Sequence, residues 1–181
     1  RMLARLMGYF RRGEKKNLLV LVATSGDTGG AIADAFYGMQ GISVVVLFPA
    51  NEVNLIQRRQ MTTLGGNVQA LAVDGKFDDC QAMVKEAFID EGMKRFLLTS
   101  ANSIDVGRLL PQAVYYFSTY GKLQKRGREL VFSVPSGNFG NLMAGLIAKK
   151  MGLPILQCVA ATNENDEFPK FLKTGIYHPI I

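Results

Sequence analysis

The sequence predicts an α/β protein with a parallel sheet that has helices on both of its faces. Two observations lead to this prediction. Short runs of apolar, often β-branched residues recur along the 181 residues, as expected of strands buried on both sides. Segments whose apolar residues repeat every three or four positions alternate with these runs and are typical of amphipathic helices. Alternation of this kind indicates parallel strands joined by helical crossovers.

The individual elements follow from the same patterns. The predicted strands are residues 18–23, 43–48, 68–73, 130–134 and 155–160. The predicted helical stripes begin at Ala31, Cys80, Val106 and Leu142. The segment "NENDEFPKF" (163–171) is predicted as a polar loop. We divide the chain into the end of a helix with its connection (1–17), a smaller lobe (18–99) and part of a larger lobe (100–181).

Composition excludes several classes of protein. Hydrophobic residues make up 48% of the chain and charged residues 20%, which describes a folded globular protein. The net charge of +6 favours anionic partners, but the basic residues are scattered and no nucleic-acid-binding motif is present, so we expect no nucleic acid. We expect no metal and no membrane contact, because metal-ligand spacing and long apolar stretches are absent. Both cysteines lie in apolar segments, which suggests a reducing, cytoplasmic setting.

A glycine-rich turn joins the predicted strand 130–134 to a helix. It consists of Ser136, Gly137, Asn138, Phe139, Gly140 and Asn141. Glycines let the backbone approach a ligand closely, and N–H groups at a helix start point at an anion. The dinucleotide and nucleoside-triphosphate fingerprints are absent, so a lone phosphate fits the turn best. A tight turn with a capped helix is an equally good local interpretation.

A second turn of the same kind follows the predicted strand 18–23. Its hydroxyls and N–H groups suit a carboxylate or a phosphate, and they come from Thr24, Ser25, Gly26 and Thr28. Asp27 brings negative charge into this turn, so it either caps the helix or accepts a hydrogen bond from a protonated ligand group. Two such turns at strand carboxyl ends favour a ligand with a phosphate at one end and a carboxylate at the other.

A third candidate segment lies where the helix from Val106 begins. Asn102, Ser103 and Arg108 cluster there, and an arginine fork can clamp an anion. The alternative is a helix cap by Ser103 or Asp105, with Arg108 on a solvated face.

These segments, in this order, resemble the threonine synthase family. The resemblance rests on "ATSGDTGGAIADAF" and on "NSIDVGRLLPQ" followed by "PSGNFGN", and it extends over nearly the whole chain. It implies fold type II and pyridoxal 5'-phosphate (PLP) as cofactor, with residues 100–181 as part of the PLP-binding lobe. The implied cofactor-binding residues are Asp27, Ser136, Gly137, Asn138, Phe139, Gly140 and Asn141. The implied substrate-binding residues are Thr24, Ser25, Gly26, Thr28, Asn102, Ser103 and Arg108.

The reaction that the resemblance implies converts O-phospho-L-homoserine and water into L-threonine and phosphate. In this family, the lysine that links to the cofactor lies just upstream of a helix resembling "RMLARLMGYF", and no lysine of this sequence lies in that motif. We therefore expect a piece of a longer protein that is inactive alone and contains no catalytic residue of its own. We also expect it to self-associate, because such a piece leaves strand edges and apolar helix faces exposed. A threonine dehydratase-like or other fold type II PLP lyase, and a non-enzymatic phosphate- or PLP-binding module, stay as alternatives.

Overall fold

The computed structural model describes residues 1–102, 105–124 and 129–178. Its contacts divide the chain into two compact units, Arg1–Arg108 and the part from Leu109 onward. The boundary lies after Arg108, whereas the sequence places the change of lobe after residue 99. The assignment of the second lobe to cofactor binding stays a prediction. No helix in the described part of the chain is long and apolar enough to cross a membrane.

The first unit contains a parallel four-stranded sheet. Its elements are α1 (Met2–Phe10), β1 (Leu18–Ala23), α2 (Asp27–Phe36), β2 (Ile42–Pro49), α3 (Leu55–Thr62), β3 (Val68–Val73), α4 (Phe77–Ile89), a 3-10 turn (Glu91–Met93) and β4 (Leu97–Thr99). The strand order is β3-β2-β1-β4, and every neighbouring pair is parallel. The sheet confirms the predicted fold class, while β4 and α3 were missed by the sequence patterns.

Side chains of β1 alternate between two cores. Val20 and Val22 belong to the larger core, together with Ile32 and Phe36 of α2. Leu21 belongs to the core on the opposite face, which contains residues of α4. Successive residues of a strand point to opposite faces, so these two cores show that helices cover both faces of the sheet. A continuous apolar run in the sequence results from this double burial.

The second unit is built around two parallel strands. Its elements are α5 (Val106–Leu123), which begins before the boundary, β5 (Leu130–Pro135), α6 (Gly140–Lys150), β6 (Ile155–Ala161) and α7 (Glu167–Thr174). The core contains buried residues of α5, β5 and α6. The prediction of a polar loop over 163–171 is wrong from Glu167 onward. Pro169 lies in the first turn of α7, where a missing N–H costs no helical hydrogen bond.

Candidate functional site

The loop after β1 is organised around the hydroxyl of Thr24. This side chain is only 2% exposed. Its Oγ1 accepts hydrogen bonds from the N–H groups of Gly26 (3.1 Å) and Gly29 (2.9 Å), and it donates one to the Gly26 carbonyl (3.0 Å). One donor and two acceptor positions are all that a hydroxyl has. This geometry favours a positioning role for Thr24 over the predicted direct contact with substrate.

The other predicted residues of this loop face outward. Ser25 is exposed and Thr28 half-buried. Within the described residues, neither hydroxyl forms a hydrogen bond, so both are available to a ligand. Gly26 is buried, and the N–H of Gly26 is bonded to Thr24, which makes its backbone part of the loop's internal structure. The predicted substrate contacts that the geometry favours are therefore those of Ser25 and Thr28.

Asp27 is oriented by a residue that the sequence patterns did not reveal. Gln57 of α3 donates a hydrogen bond from Nε2 to Asp27 Oδ1 (2.7 Å). The backbone N–H of Gln57 is in turn held by Asn54 Oδ1 (2.9 Å), which caps α3. Asp27 is the first residue of α2 rather than its cap. Negative charge in a first helical turn interacts favourably with the helix dipole. Gln57 occupies Oδ1, so Oδ2 of Asp27 is the oxygen that a ligand donor can reach.

Unpaired buried polar atoms lie at the carboxyl end of β4. Within the described residues, Ser100 Oγ and Asn102 Oδ1 are buried and have no hydrogen-bond partner. Val20 of β1 pairs with Thr99 of β4, so both atoms follow a strand beside β1 at the same edge of the sheet. A buried polar atom without a partner is costly. A hydrogen-bond donor of a ligand at this end of the sheet would supply the missing partner.

Arg108 lies on the same unit and is tied to the backbone. Its Nη1 donates to the Ala101 carbonyl (3.0 Å), next to Asn102. Burial lowers the pKa of the Arg108 guanidinium, and the nearby Asp105 carboxylate partly offsets that shift. The guanidinium is half-buried, and it supports the backbone that presents Asn102. The predicted substrate residue Ser103 lies outside the described residues.

The loop after β5 is closed by the side chain of Asn141. Its Nδ2 donates to the Pro135 carbonyl (2.8 Å), and its Oδ1 accepts from Ser136 Oγ (3.2 Å) and from the Leu142 N–H (2.9 Å). Ser136 Oγ also contacts the Val134 carbonyl at 3.1 Å. These bonds join the end of β5 to the start of α6. Asn141 and Ser136, both predicted to contact the cofactor, thus have their side chains engaged within the loop.

The backbone of this loop contains one unusual residue. Phe139 has φ 55° and ψ 6°, the left-handed region, which it occupies without being glycine. Such a conformation costs about 1–3 kcal/mol and requires support from its surroundings. The Phe139 ring packs against Phe168 of α7, with ring centroids 4.2 Å apart. Phe139 is therefore held by its ring, and its backbone turns the chain into α6.

Tyr116 of α5 forms a hydrogen bond that supports the same loop. Its hydroxyl donates to the Asn141 carbonyl at 2.6 Å, and burial raises the pKa of this hydroxyl. The Tyr116 ring lies against Gly145 of α6, where an added Cβ would come within 2.6 Å of the ring. The glycine permits the close approach. Neither residue was singled out by the sequence patterns, because their pairing joins separate helices.

The loop after β5 fits a phosphate group. The first helical hydrogen bond of α6 runs from the Met143 N–H to the Phe139 carbonyl, so the N–H groups of Gly140 and Asn141 precede the helical ladder. A Cβ built on Gly137 would meet no atom within 4 Å, and Asn138 is exposed. The loop borders a cavity of about 460 Å³. Free N–H groups, a helix N-terminus and open space are what an anion requires.

The predicted residues thus form two groups, each within one unit. Thr24, Ser25, Gly26, Asp27, Thr28, Asn102 and Arg108 lie at the carboxyl edge of the four-stranded sheet. The loop between β5 and α6 contains Ser136, Gly137, Asn138 and Phe139, and the first two residues of α6 are Gly140 and Asn141. Within the described residues, no group of His, Cys, Asp and Glu side chains could hold a metal ion.

Parallel strands, covering helices and glycine-rich loops at strand carboxyl ends define an α/β protein of the class that binds ligands at those ends. The chain belongs to the family of pyridoxal-phosphate-dependent enzymes, whose model matches residues 1–180. The phosphate that this family's cofactor carries is the group that the loop after β5 fits.

Curated relatives narrow the similarity further. The chain is 52% identical over 166 residues to threonine synthase of Escherichia coli and 52% identical over 162 residues to that of Serratia marcescens. These alignments cover 91% and 88% of this chain, but only 39% and 38% of the relatives. The chain therefore spans about two fifths of the length of these relatives.

Solved structures give the same result. The crystal structure of threonine synthase from Escherichia coli matches with a TM-score of 0.88 and 46% identity, covering 99% of this chain and 43% of that one. A PLP-bound threonine synthase from Brucella melitensis matches with a TM-score of 0.84 and 44% identity, covering 95% and 38%. A threonine deaminase structure matches with a TM-score of 0.71 at 15% identity. That likeness shows the fold alone.

Proposed function

We propose that the protein containing this chain is a threonine synthase, which converts O-phospho-L-homoserine and water into L-threonine and phosphate. The observation that carries the proposal is identity of about half over about nine tenths of the chain, including both glycine-rich loops. The net charge of +6 agrees with a substrate that bears a phosphate and a carboxylate.

The loop after β5 binds the cofactor in this proposal. N–H groups of Gly137 to Gly140 donate to its phosphate, while Asn141 and Tyr116 keep the loop in shape. PLP, when bound, supplies an electron sink for carbanions at the Cα and Cβ of the substrate. The protein residues contribute binding and orientation rather than that chemistry.

The carboxyl edge of the four-stranded sheet binds the substrate in this proposal. The free hydroxyls of Ser25 and Thr28 donate to the substrate carboxylate. Asn102 contributes its unpaired amide oxygen, which accepts from a protonated ligand nitrogen. The N–H groups bonded to Thr24 keep the hydroxyl-bearing loop in one conformation, so that little ordering is needed when substrate binds.

We also propose three properties of the chain itself. The 181-residue chain alone has no turnover, because none of its lysines lies in the motif that the family uses for the cofactor link. It self-associates through exposed apolar side chains such as Val114, Tyr115 and Val131. It works in a reducing, cytoplasmic setting, as the free thiols of Cys80 and Cys158 suggest.

The test is phosphate release from O-phospho-L-homoserine by the complete protein, supplied with PLP. Release coupled to threonine formation supports the proposal. Formation of a 2-oxo acid from threonine without phosphate release points to a dehydratase instead. Neither activity, with PLP still bound, points to a non-enzymatic binding module. Sedimentation of the 181-residue chain tests the self-association.

A pair of serine variants tests the substrate loop in the same assay. Ser25→Ala removes an exposed hydroxyl from the proposed carboxylate site, and we expect about a tenfold higher KM from the loss of one charge-assisted bond. Ser118→Ala removes the hydroxyl of another exposed serine, on α5, and should leave KM unchanged. Equal KM values in both variants would contradict the role of Ser25.

A further inference from the structure

A second cavity opens at the amino ends of β1 and β2. It has a volume of about 670 Å³, which is typical of sites for small molecules. Gln40 and Gly41, which directly precede β2, form one wall, and the end of α1 with the following turn forms the other. The loop after β1 lies at the opposite end of the same sheet, where the strands have their carboxyl ends. The cavity is therefore separate from that loop.

Three arginines line this cavity. They are Arg5, Arg11 and Arg12, and Glu14 is the one acidic residue among the lining side chains. Within the described part of the chain, none of the three arginines forms an ion pair with a carboxylate. Three arginines and one carboxylate around a single cavity leave an excess of positive charge, which raises the local positive potential. An anion in the cavity would offset that excess.

Arg11 carries an unsatisfied donor in this wall. Its Nη2 is bonded to the Lys16 carbonyl, which fixes the guanidinium. Its Nε is buried and, within the described residues, has no hydrogen-bond partner. A buried N–H without an acceptor is destabilising unless a water, an ion or a ligand supplies one. The observation is independent of the cavity's charge, and it places an unsatisfied donor on a residue that lines the cavity.

The cavity wall also has an apolar part, which includes the ring of Tyr9 beside Arg12. The Arg12 guanidinium lies 5.0 Å from the centroid of the Tyr9 ring, a contact that holds a cation in a fixed orientation. Met39 contributes a further apolar side chain. A ligand with both an anionic group and an apolar body would use all of these surfaces.

We propose that this cavity binds a phosphate-bearing small molecule. Planar guanidinium forks match the geometry of phosphate oxygens, and several donors can share one phosphate. A walled cavity suits a small molecule better than the backbone of a nucleic acid, which needs an extended basic surface. The site is independent of the proposed function, because it uses no residue of either glycine-rich loop.

The experiment is a calorimetric titration of the complete protein with inorganic pyrophosphate. The protein is loaded with PLP and desalted, so that the loop after β5 is occupied and excess cofactor is absent. Arg12→Gln and Arg5→Gln each remove one exposed cation from the cavity. Among the residues that the structure describes, neither arginine side chain forms a hydrogen bond that the change would remove. The matched control is Arg95→Gln, an exposed arginine that lies 4.8 Å from the Phe96 ring outside the cavity.

We expect the Kd for pyrophosphate to rise about tenfold in Arg12→Gln and Arg5→Gln, and to stay within twofold in Arg95→Gln. The proposal is overturned if wild-type protein does not bind pyrophosphate, or if all variants bind it equally. Single-stranded RNA that binds more tightly than pyrophosphate and is lost in the same variants would also overturn it, in favour of a polyanion surface. Retained activity in both variants would show that the site is separate from the proposed reaction.

Discussion

The loop after β1 is fixed by a buried hydroxyl, whereas the loop after β5 is fixed by an exposed amide. Thr24 forms its three hydrogen bonds beneath the loop, where water has no access. Asn141 forms its bonds at the surface, and the loop also depends on aromatic contacts with other helices. An unmade bond costs more in the interior than at the surface. Equivalent changes should therefore destabilise the first loop more than the second.

Replacing Thr24 should have the largest effect. Thr24→Val keeps the shape of the side chain but leaves two buried N–H groups without an acceptor, so we expect unfolding free energy to fall by on the order of 3 kcal/mol. Thr24→Ser keeps the hydroxyl and should cost about 1 kcal/mol through the lost methyl group. Urea unfolding of both variants measures the difference. Equal losses would mean that the hydroxyl does not hold the loop.

Replacing Gly29 should have the second largest effect on stability, because this glycine allows α2 to pack against Thr24. A Cβ at this position would come within 2.5 Å of Thr24 Cγ2 and would also collide with Met61. We expect Gly29→Ala to reduce stability by about 1–3 kcal/mol through overpacking. Gly121→Ala is the control, since its Cβ would meet no atom within 4 Å. It should raise stability by about 0.5 kcal/mol, and a similar gain at Gly29 would refute the packing argument.

In the loop after β5, Asn141 and Asn138 separate stability from binding. Asn141→Ala removes the amide that joins Pro135 to the start of α6, and at an exposed position we expect a loss of about 1 kcal/mol. PLP affinity should also fall about tenfold, because the N–H groups lose their common orientation. Fluorescence titration with PLP and thermal unfolding measure the two effects.

Asn138→Ala provides the contrast to that variant. The Asn138 side chain is exposed and, within the described residues, forms no hydrogen bond. We expect weaker PLP binding with unchanged unfolding free energy. A loss of stability in Asn138→Ala equal to that in Asn141→Ala would show that the amide of Asn141 is not the brace.

The strands and helices could be predicted where they contain a continuous apolar run or an apolar stripe. The bounds of β1 agree with its apolar run, because five of its six residues are buried. The bounds of β3 also agree with an apolar run, although β3 is the outer strand beside β2 and Val68 is its one buried residue. The strand β4 has three residues, none of them fully buried, and leaves no such run. In α3 only Met61 is buried, so no apolar stripe forms.

The positions of the two loops could also be predicted, but their supports could not. Glycines and hydroxyls after a strand identify such loops from local sequence. Gln57 and Asp27 are 30 residues apart, and Tyr116 and Asn141 are 25 apart. Partners at such distances are brought together by tertiary packing, which a single sequence does not display. These two supporting hydrogen bonds were therefore found only in the structure.

Tyr116→Phe should lower the unfolding free energy by the least, and it tests a single hydrogen bond of the loop after β5. The variant keeps the ring against Gly145 and loses only the bond to the Asn141 carbonyl, for about 0.5–1 kcal/mol. Burial raises the Tyr116 pKa above its ordinary value of 10.0. The unfolded chain therefore loses this proton first, so the stabilising contribution is complete below pH 10 and declines as pH rises through the folded-state pKa. Wild-type stability should fall more steeply than that of Tyr116→Phe as the pH rises above about 10, as urea unfolding would measure. Parallel curves would mean that the hydroxyl is not buried against Asn141, and the second loop would then depend on its exposed amide alone.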